Sequence, residues 1–283
     1  MTDYILTLSC PDCTGIVHAV TGWLLQRHGN IVQAQQFGDA ETQRFFLRVH
    51  FTIPEPQDVN VLNQSFQEAI AAPFNMEAEI FDASHKARVL ILVSRQGHCL
   101  NDLLFRVHSG QLPIEVVGVI SNHTDHASLV SSYNIPFHYL PVTPENKPYQ
   151  EQDILRLVDS LKVDLVVLAR YMQILSPDMC KALSGRAINI HHSFLPSFKG
   201  ARPYHQAHAK GVKIIGATAH YVTADLDEGP IIEQDIERVN HAMSPLELTQ
   251  VGSDVESLVL SRAVAAHVEH RIFMNGQRTV VFR

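Results

Sequence analysis

A chain of 283 residues, 46% of them hydrophobic, is longer than one average domain and is expected to bury two cores. Its 22 Lys and Arg against 29 Asp and Glu give a formal charge of −7, and no Lys/Arg run is long enough to track a phosphate backbone, which argues against nucleic acid as a partner. The N-terminus MTDYILTLSCPDC carries Asp3 and too short an apolar run for a signal peptide, and no later stretch reaches membrane-spanning length, so a soluble, cytoplasmic protein is expected.

In chain order, the hydrophobic pattern predicts a strand over 4–8, a helix over 15–27, strands over 31–37 and 44–53, a helix over 59–71 and a strand over 76–81. Two such βαβ-like halves make a ferredoxin-like sandwich. The first helix follows CPDCTGIV, where Asp12 is placed to cap it and Gly15 sits in its first turn, while Gly29 and Asn30 supply a second flexible turn. Cys10 and Cys13 form a C-x-x-C without a second pair to complete four ligands. With Cys99 and Cys180 they are too few and scattered for a disulfide framework, so reduced thiols and no metal are expected.

The polar stretch inside FDASHKARV, 81–89, marks the domain boundary, giving domains 1–82 and 87–283. Beyond it, β-branched runs at 89–93, 114–120 and 165–168 alternate with helical stretches such as 153–161, which argues α/β architecture with a mostly parallel, Rossmann-like sheet covered by helices. A long apolar-faced helix over 252–270 packs either internally or between subunits.

Within the second domain, INIHHSFLPSFKG (188–200) sets Asn189 and His191 two apart on a strand, so both side chains leave the same face where the strand runs out. Further on, TADLDEGPII supplies an acidic loop with Asp225, Asp227 and Glu228, from which a carboxylate can join the pair. An amide, an imidazole and a carboxylate suit acyl chemistry: the first two donate to an oxyanion, and the third positions the imidazole or accepts a proton. Taken singly, Asn189 reads as a strand-end turn residue and His191 as a buried, satisfied histidine.

Two family resemblances add to this reading. Residues 1–82 resemble an ACT domain, whose strand-to-helix turn reads Asp, two residues, then Gly and apolar residues. That likeness implies a regulatory module that pairs with a second copy, with Asp12, Gly15 and Asn30 as effector-binding residues and methionine or glycine as candidate effectors. Residues 87–283 resemble the folate-dependent formyltransferases through NIHHSFLPSFKG, TAHYVTADLDEGPII and ARYMQILSP. This likeness implies Asn189, His191 and Asp227, not Asp225, as the catalytic set. It also implies Tyr171, Met172, Gln173, Ile174 and Leu175, together with His192 and Thr223, as residues around a bound folate.

Two departures from the transferases bear on the acceptor. The turn SRQGHCLN (94–101) keeps only Gly97 of a glycine-rich phosphate cradle, and His192 stands where proline is common. The likeness is closest to the formyltetrahydrofolate deformylase family, which implies water as acceptor: hydrolysis of 10-formyltetrahydrofolate to formate and tetrahydrofolate. No metal or redox cofactor is implied, and a homo-oligomer is. The alternatives are a formyltransferase acting on an unphosphorylated amine and a non-catalytic folate or amino-acid sensor. Lys199, Arg202, Lys210 and Lys213 read as a solvated basic face more readily than as a site for a glutamate tail.

Overall fold

The computed structural model describes residues 2–192 and 203–283, which divide into two compact units. The first runs to His85 and takes in Glu269–Gly276 and Val280–Arg283; the second is Lys86–Val268 with Gln277–Thr279. The chain therefore differs from the expected two-part division at its C-terminus. Phe273 and Phe282, beyond the last helix, pack edge-on against each other, and Phe273 meets Phe46 of the first unit's sheet with ring centroids 5.9 Å apart. Apolar side chains so close to the chain end have no local pattern that announces their partner.

In the first unit β1 (Thr2–Pro11), α1 (Ile16–Leu25), β2 (Asn30–Asp39), β3 (Arg44–Ile53), α2 (Val59–Phe66) and β4 (Glu77–Asp82) form an antiparallel sheet of order β2-β3-β1-β4, the ferredoxin-like arrangement. Alternate residues of β1, namely Tyr4, Leu6, Leu8 and Cys10, share a core with Val20, Trp23 and Leu24 of α1 and Leu62 and Phe66 of α2. The second helix runs past the predicted end at 71, through a π-helical turn (Gln67–Ala71) and a last turn, α3 (Ala72–Phe74), closed by left-handed Asn75. Two turn expectations change. The N-cap of α1 is Gly15, at φ 95°, with no side-chain cap from Asp12. The left-handed residue of the next turn is His28, not Gly29 or Asn30.

In the second unit β5 (Ala87–Val93), α4 (His98–His108), β6 (Ile114–Ser121), α5 (Ala127–Ser132), β7 (Phe137–Tyr139), α6 (Lys147–Ser160), β8 (Leu165–Leu168), α7 (Pro177–Ala182), β9 (Ala187–His191), α8 (Pro203–Lys210), β10 (Ile214–Tyr221), β11 (Ile231–Arg238) and α9 (Pro245–Val268) follow in chain order. The seven strands lie in the order β11-β10-β9-β8-β5-β6-β7; β9, β8, β5, β6 and β7 pair parallel, while β10 pairs antiparallel with both β9 and β11. Val89–Val93 are buried on both faces, as a central parallel strand requires. The chain leaves β5 toward β6 on one side and returns as β8 on the other, so a crevice opens beyond the carboxyl ends of β5 and β8.

Helix α9 begins at Pro245, about two turns before the predicted start, because Ser244 and Glu247 form a capping box. The Glu247 carboxylate accepts from the Ser244 backbone N–H at 2.7 Å, and the Ser244 hydroxyl accepts from the Glu247 N–H at 3.3 Å. Leu248, Val255, Val259, Leu260, Ala263 and Val264 are buried within this unit, so α9 packs internally. Among the described residues no helix is long and apolar enough to cross a membrane. A strand pair, β12 (Ile272–Asn275) and β13 (Arg278–Val281), ends the chain.

Candidate active site

Strands β8 and β9 run parallel with Leu168 beside Asn189, so their carboxyl ends deliver the segments that follow to one place. In β9 the buried Ile188 and Ile190 alternate with half-buried Asn189 and His191, which share a face. The loop between β10 and β11 brings in the third residue. Asp227 takes a left-handed conformation, φ 58°, and its Oδ2 lies 3.3 Å from His191 Nδ1. Asp225 is exposed and has no such contact with His191, so the acidic residue that joins the pair is Asp227.

Gly229 lets this loop close. Tyr221 N–H donates to Pro230 O at 3.0 Å, and a Cβ on Gly229 would stand 1.7 Å from the Tyr221 carbonyl oxygen. Because that neighbour is backbone, it cannot step aside. Gly229→Ala is expected to destabilise the protein by about 1–3 kcal/mol, the usual range for overpacking, read as a lower thermal unfolding midpoint. An unchanged midpoint would show that the loop does not close in this way.

The Asp227 carboxyl is held below its ordinary pKa, first by the hydrogen bond from His191 and against the opposing effect of burial, so it is a carboxylate that accepts from Nδ1–H. Beneath it lies His220, which the sequence reading did not single out. Burial lowers the pKa of this imidazole, and its Nδ1 faces the Tyr221 carbonyl at 2.9 Å, so Nδ1 carries the hydrogen and Nε2 is left as an acceptor. The Asn189 amide meets that Nε2 at 3.2 Å and must therefore present its NH2 side, spending one N–H on His220 and keeping the other. His220 Nε2 is also 3.8 Å from Asp227 Oδ1, too long for a hydrogen bond. The signal in the sequence was a lone polar residue in the apolar run IIGATAHYV. It acquires meaning only from the antiparallel register that sets His220 beside Asn189.

His192 lies just past the end of β9, so it is free of strand alternation, and its ring stacks on His191 with centroids 4.8 Å apart and planes at 23°. Its Nδ1 meets an Arg170 guanidinium N–H at 2.6 Å.

A cavity of about 430 Å³ opens over these groups, with 171–175 along one wall and 223–228 along the other. Met172, Ile174 and Leu226, each about 60% exposed, present apolar surface to it, as an aromatic ligand requires. Leu175 is buried, Gln173 half-buried, and Tyr171 is buried with its hydroxyl accepting from Gln150 at 2.7 Å. Ser94 fixes the start of this wall by accepting from the Met172 N–H at 2.9 Å. The Thr223 hydroxyl donates to the Asp225 carbonyl at 3.0 Å and so shapes the opposite wall. In the turn 94–101, Gly97 lies against the His126 imidazole, 2.4 Å from the position of an added Cβ, while His98 turns toward Glu256.

The expected effector residues Asp12, Gly15 and Asn30 belong to the first unit and this cavity to the second; Asp12 and Asn30 are exposed. Ser193 to Gly200, with Lys199, and Arg202 lie outside the described residues; Lys210 and Lys213 are exposed. Among the described residues one group has metal-ligand types within 4.8 Å of one another: His98, Cys99 and Glu256. Arg170 Nε stands 3.4 Å from Glu256, and burial holds the Cys99 thiol protonated, so a cation there would face a positive neighbour and a poor ligand.

Residues 87–264 match the family described as formyl transferase. The chain is 52% identical to a formyltetrahydrofolate deformylase of Corynebacterium sp. (strain P-1) over 281 residues, 99% of this chain and 98% of that one. Among solved structures, the formyltetrahydrofolate deformylase of Burkholderia mallei ATCC 23344 is similar with TM-score 0.95 and 50% identity, covering 100% of both chains. The glycinamide ribonucleotide transformylase 1 of Symbiobacterium toebii is similar with TM-score 0.66 and 29% identity, covering 72% of this chain and 97% of that one.

Proposed function

The chain belongs to the formyl transferase family, and from that premise we propose that it hydrolyses 10-formyltetrahydrofolate to formate and tetrahydrofolate with Asn189, His191 and Asp227 as its catalytic residues. The observation that carries the catalytic assignment is the contact of His191 with a carboxylate beside an Asn189 amide oriented by His220, all on one cavity. The Asp227–His191 pair takes a proton from water as its oxygen bonds to the formyl carbon. The remaining Asn189 N–H and the His191 ring donate to the oxyanion that forms. Collapse breaks the carbon–nitrogen bond, and the proton returns to the folate nitrogen.

The apolar faces of Met172, Ile174 and Leu226 hold the pterin, with Tyr171, Gln173, Leu175 and Thr223 shaping the pocket and His192 standing beside the formyl group. This chemistry calls on no cofactor beyond the folate substrate. We place it in the cytoplasm, where the free thiols of Cys10, Cys13, Cys99 and Cys180 stay reduced and where the released formate and tetrahydrofolate feed purine synthesis and balance the one-carbon pool.

For the first unit we propose an ACT-type regulatory role: an amino acid, methionine or glycine, bound near Asp12, Gly15 and Asn30, and self-association through paired copies. Its support is the ferredoxin-like strand order, the exposed turn at Asp12, and the edge strand β2, which leaves Val32 and Phe37 exposed.

Turnover in water enriched in oxygen-18 tests the reaction itself. Hydrolysis places one solvent oxygen in each formate released, whereas unlabelled formate, or a formyl group recovered on an added amine, overturns the reading.

A further inference from the structure

Behind the cavity lies a buried charged network that the reaction as described does not use. Glu256, 1% exposed, points from the middle of α9. Burial pushes its pKa up, but the hydrogen bond from His98, the Arg170 charge and the hydrogen bond from Tyr204 more than reverse this, so it is a carboxylate. The Tyr204 hydroxyl donates to Oε1 at 2.6 Å and His98 Nε2 to Oε2 at 2.6 Å. One turn earlier in α9, Gly252 makes room for this: a Cβ there would come within 2.1 Å of the Tyr204 hydroxyl.

Glu256 in turn holds Arg170, whose Nε lies 3.4 Å away. Arg170 follows β8, is 6% exposed and sits in the left-handed region at φ 63°, a conformation that an arginine keeps only where its surroundings dictate it. Its guanidinium donates to Gln96 Oε1 from Nε, at 2.7 Å, and from a second nitrogen, and through its third nitrogen to His192 Nδ1. A guanidinium has donors only, so Nδ1 of His192 must be an acceptor and the ring's hydrogen must sit on Nε2. That Nε2 is buried and has no hydrogen-bond partner among the described residues, so nothing described competes with Arg170 for the tautomer.

The two stacked histidines thus have opposite neighbours: His191 touches the Asp227 carboxylate and His192 touches a cation. We propose that Arg170, braced by Glu256, is a positioning residue for hydrolysis: by occupying Nδ1 of His192 it fixes that ring's tautomer and reserves His191 as the one member of the pair that takes a proton from water. This rests on the reading of His191 and Asp227 as the proton-accepting pair. The proton passes to that pair as the carbon–oxygen bond forms and returns to the folate nitrogen as the carbon–nitrogen bond breaks; none passes through His192.

The charges around His192 agree with this. Burial, then Arg170, then His191 oppose its protonation, while Glu256 and Asp227 favour it less strongly, and the balance pushes its pKa down to about 4. A buried ion pair that braces one imidazole is also a costly arrangement compared with apolar packing, which argues that orientation is what it provides.

The test joins nitrogen-15 NMR of histidine-labelled protein to the pH profile of kcat. In the wild type the His192 signals, identified by their loss in His192→Asn, should stay those of the neutral Nε2–H tautomer from pH 8 to pH 5.5. The double variant Arg170→Met/Glu256→Gln removes both buried charges together, so neither is left unpaired. There the burial of His192 remains but no donor holds its Nδ1 as an acceptor, so its signals should show the Nδ1–H tautomer populated beside Nε2–H, and kcat should fall at every pH from 8 to 5.5. Adding His192→Asn to the double variant should lower kcat no further, because no tautomer is then left to hold.

A wild-type His192 found protonated, or carrying its hydrogen on Nδ1, overturns the proposal without any variant. So does a double variant whose His192 keeps the Nε2–H tautomer alone, or whose kcat equals that of the wild type. Failure of the hydrolytic reading shows separately, as absent formate release by the wild type, while the NMR arm still reports the tautomer.

Discussion

Asp227→Asn lowers kcat by about 10²–10⁴-fold, the range that a positioned acid or base contributes, with KM for the folate changed far less. Asparagine keeps the side chain's size, and its carbonyl oxygen still accepts from His191 Nδ1, so the left-handed loop and the His191 ring have little reason to move. What is lost is the charge. The carboxylate is held ionised by the His191 hydrogen bond, and it is the only described anion in direct contact with that ring. Without it, the His191 ring is a weaker base toward the proton released by the attacking water, and the imidazolium that forms has no counter-charge. The same ionisation sets a pH dependence: because the folded carboxyl is lowered from its ordinary value, the active form persists above that value and is lost as the pH falls through the lowered one. Steady-state rates over the acid range, with intact unfolding midpoints as a control, read both effects. An Asn variant with near wild-type kcat would remove Asp227 from the chemistry.

Asn189→Ala is expected to lower kcat by about 10²–10³-fold, the usual cost of deleting one oxyanion donor. The amide is preorganised: His220, itself fixed by the Tyr221 carbonyl, leaves Asn189 only one way to face and aims its other N–H away from His220. Truncation also strands a buried imidazole acceptor, at a stability cost of about 1–3 kcal/mol, so activity is compared well below the variant's unfolding midpoint. A loss under tenfold would mean that the oxyanion is stabilised elsewhere.

The parts of this account that were legible in the sequence are those with short-range patterns. Alternation in INIH set Asn189 and His191 on one face, β-branched runs marked the central strands, and family likeness selected Asp227 over Asp225. What the sequence hid depends on pairings that only the folded chain makes. His220 acquires its role from the antiparallel register of β9 and β10, which reads as nothing more than a histidine in an apolar run. Arg170 and Glu256 are far apart in sequence, and each alone resembles an ordinary charged residue on a helix or turn. Asp12 had the chemistry of a helix cap, but the left-handed Gly15 moved the cap position past it. Phe273 and Phe282, placed in the second domain by chain order, belong to the first unit because their rings find Phe46 there.

The most direct test of the central claim is formate release from 10-formyltetrahydrofolate by pure protein in buffer without any amine, wild type beside Asp227→Asn. Sustained release by the wild type that is lost in the variant is the predicted result. Release that waits for an added amine, or no release at all, would contradict it, the first pointing to a transferase and the second to a folate-binding sensor.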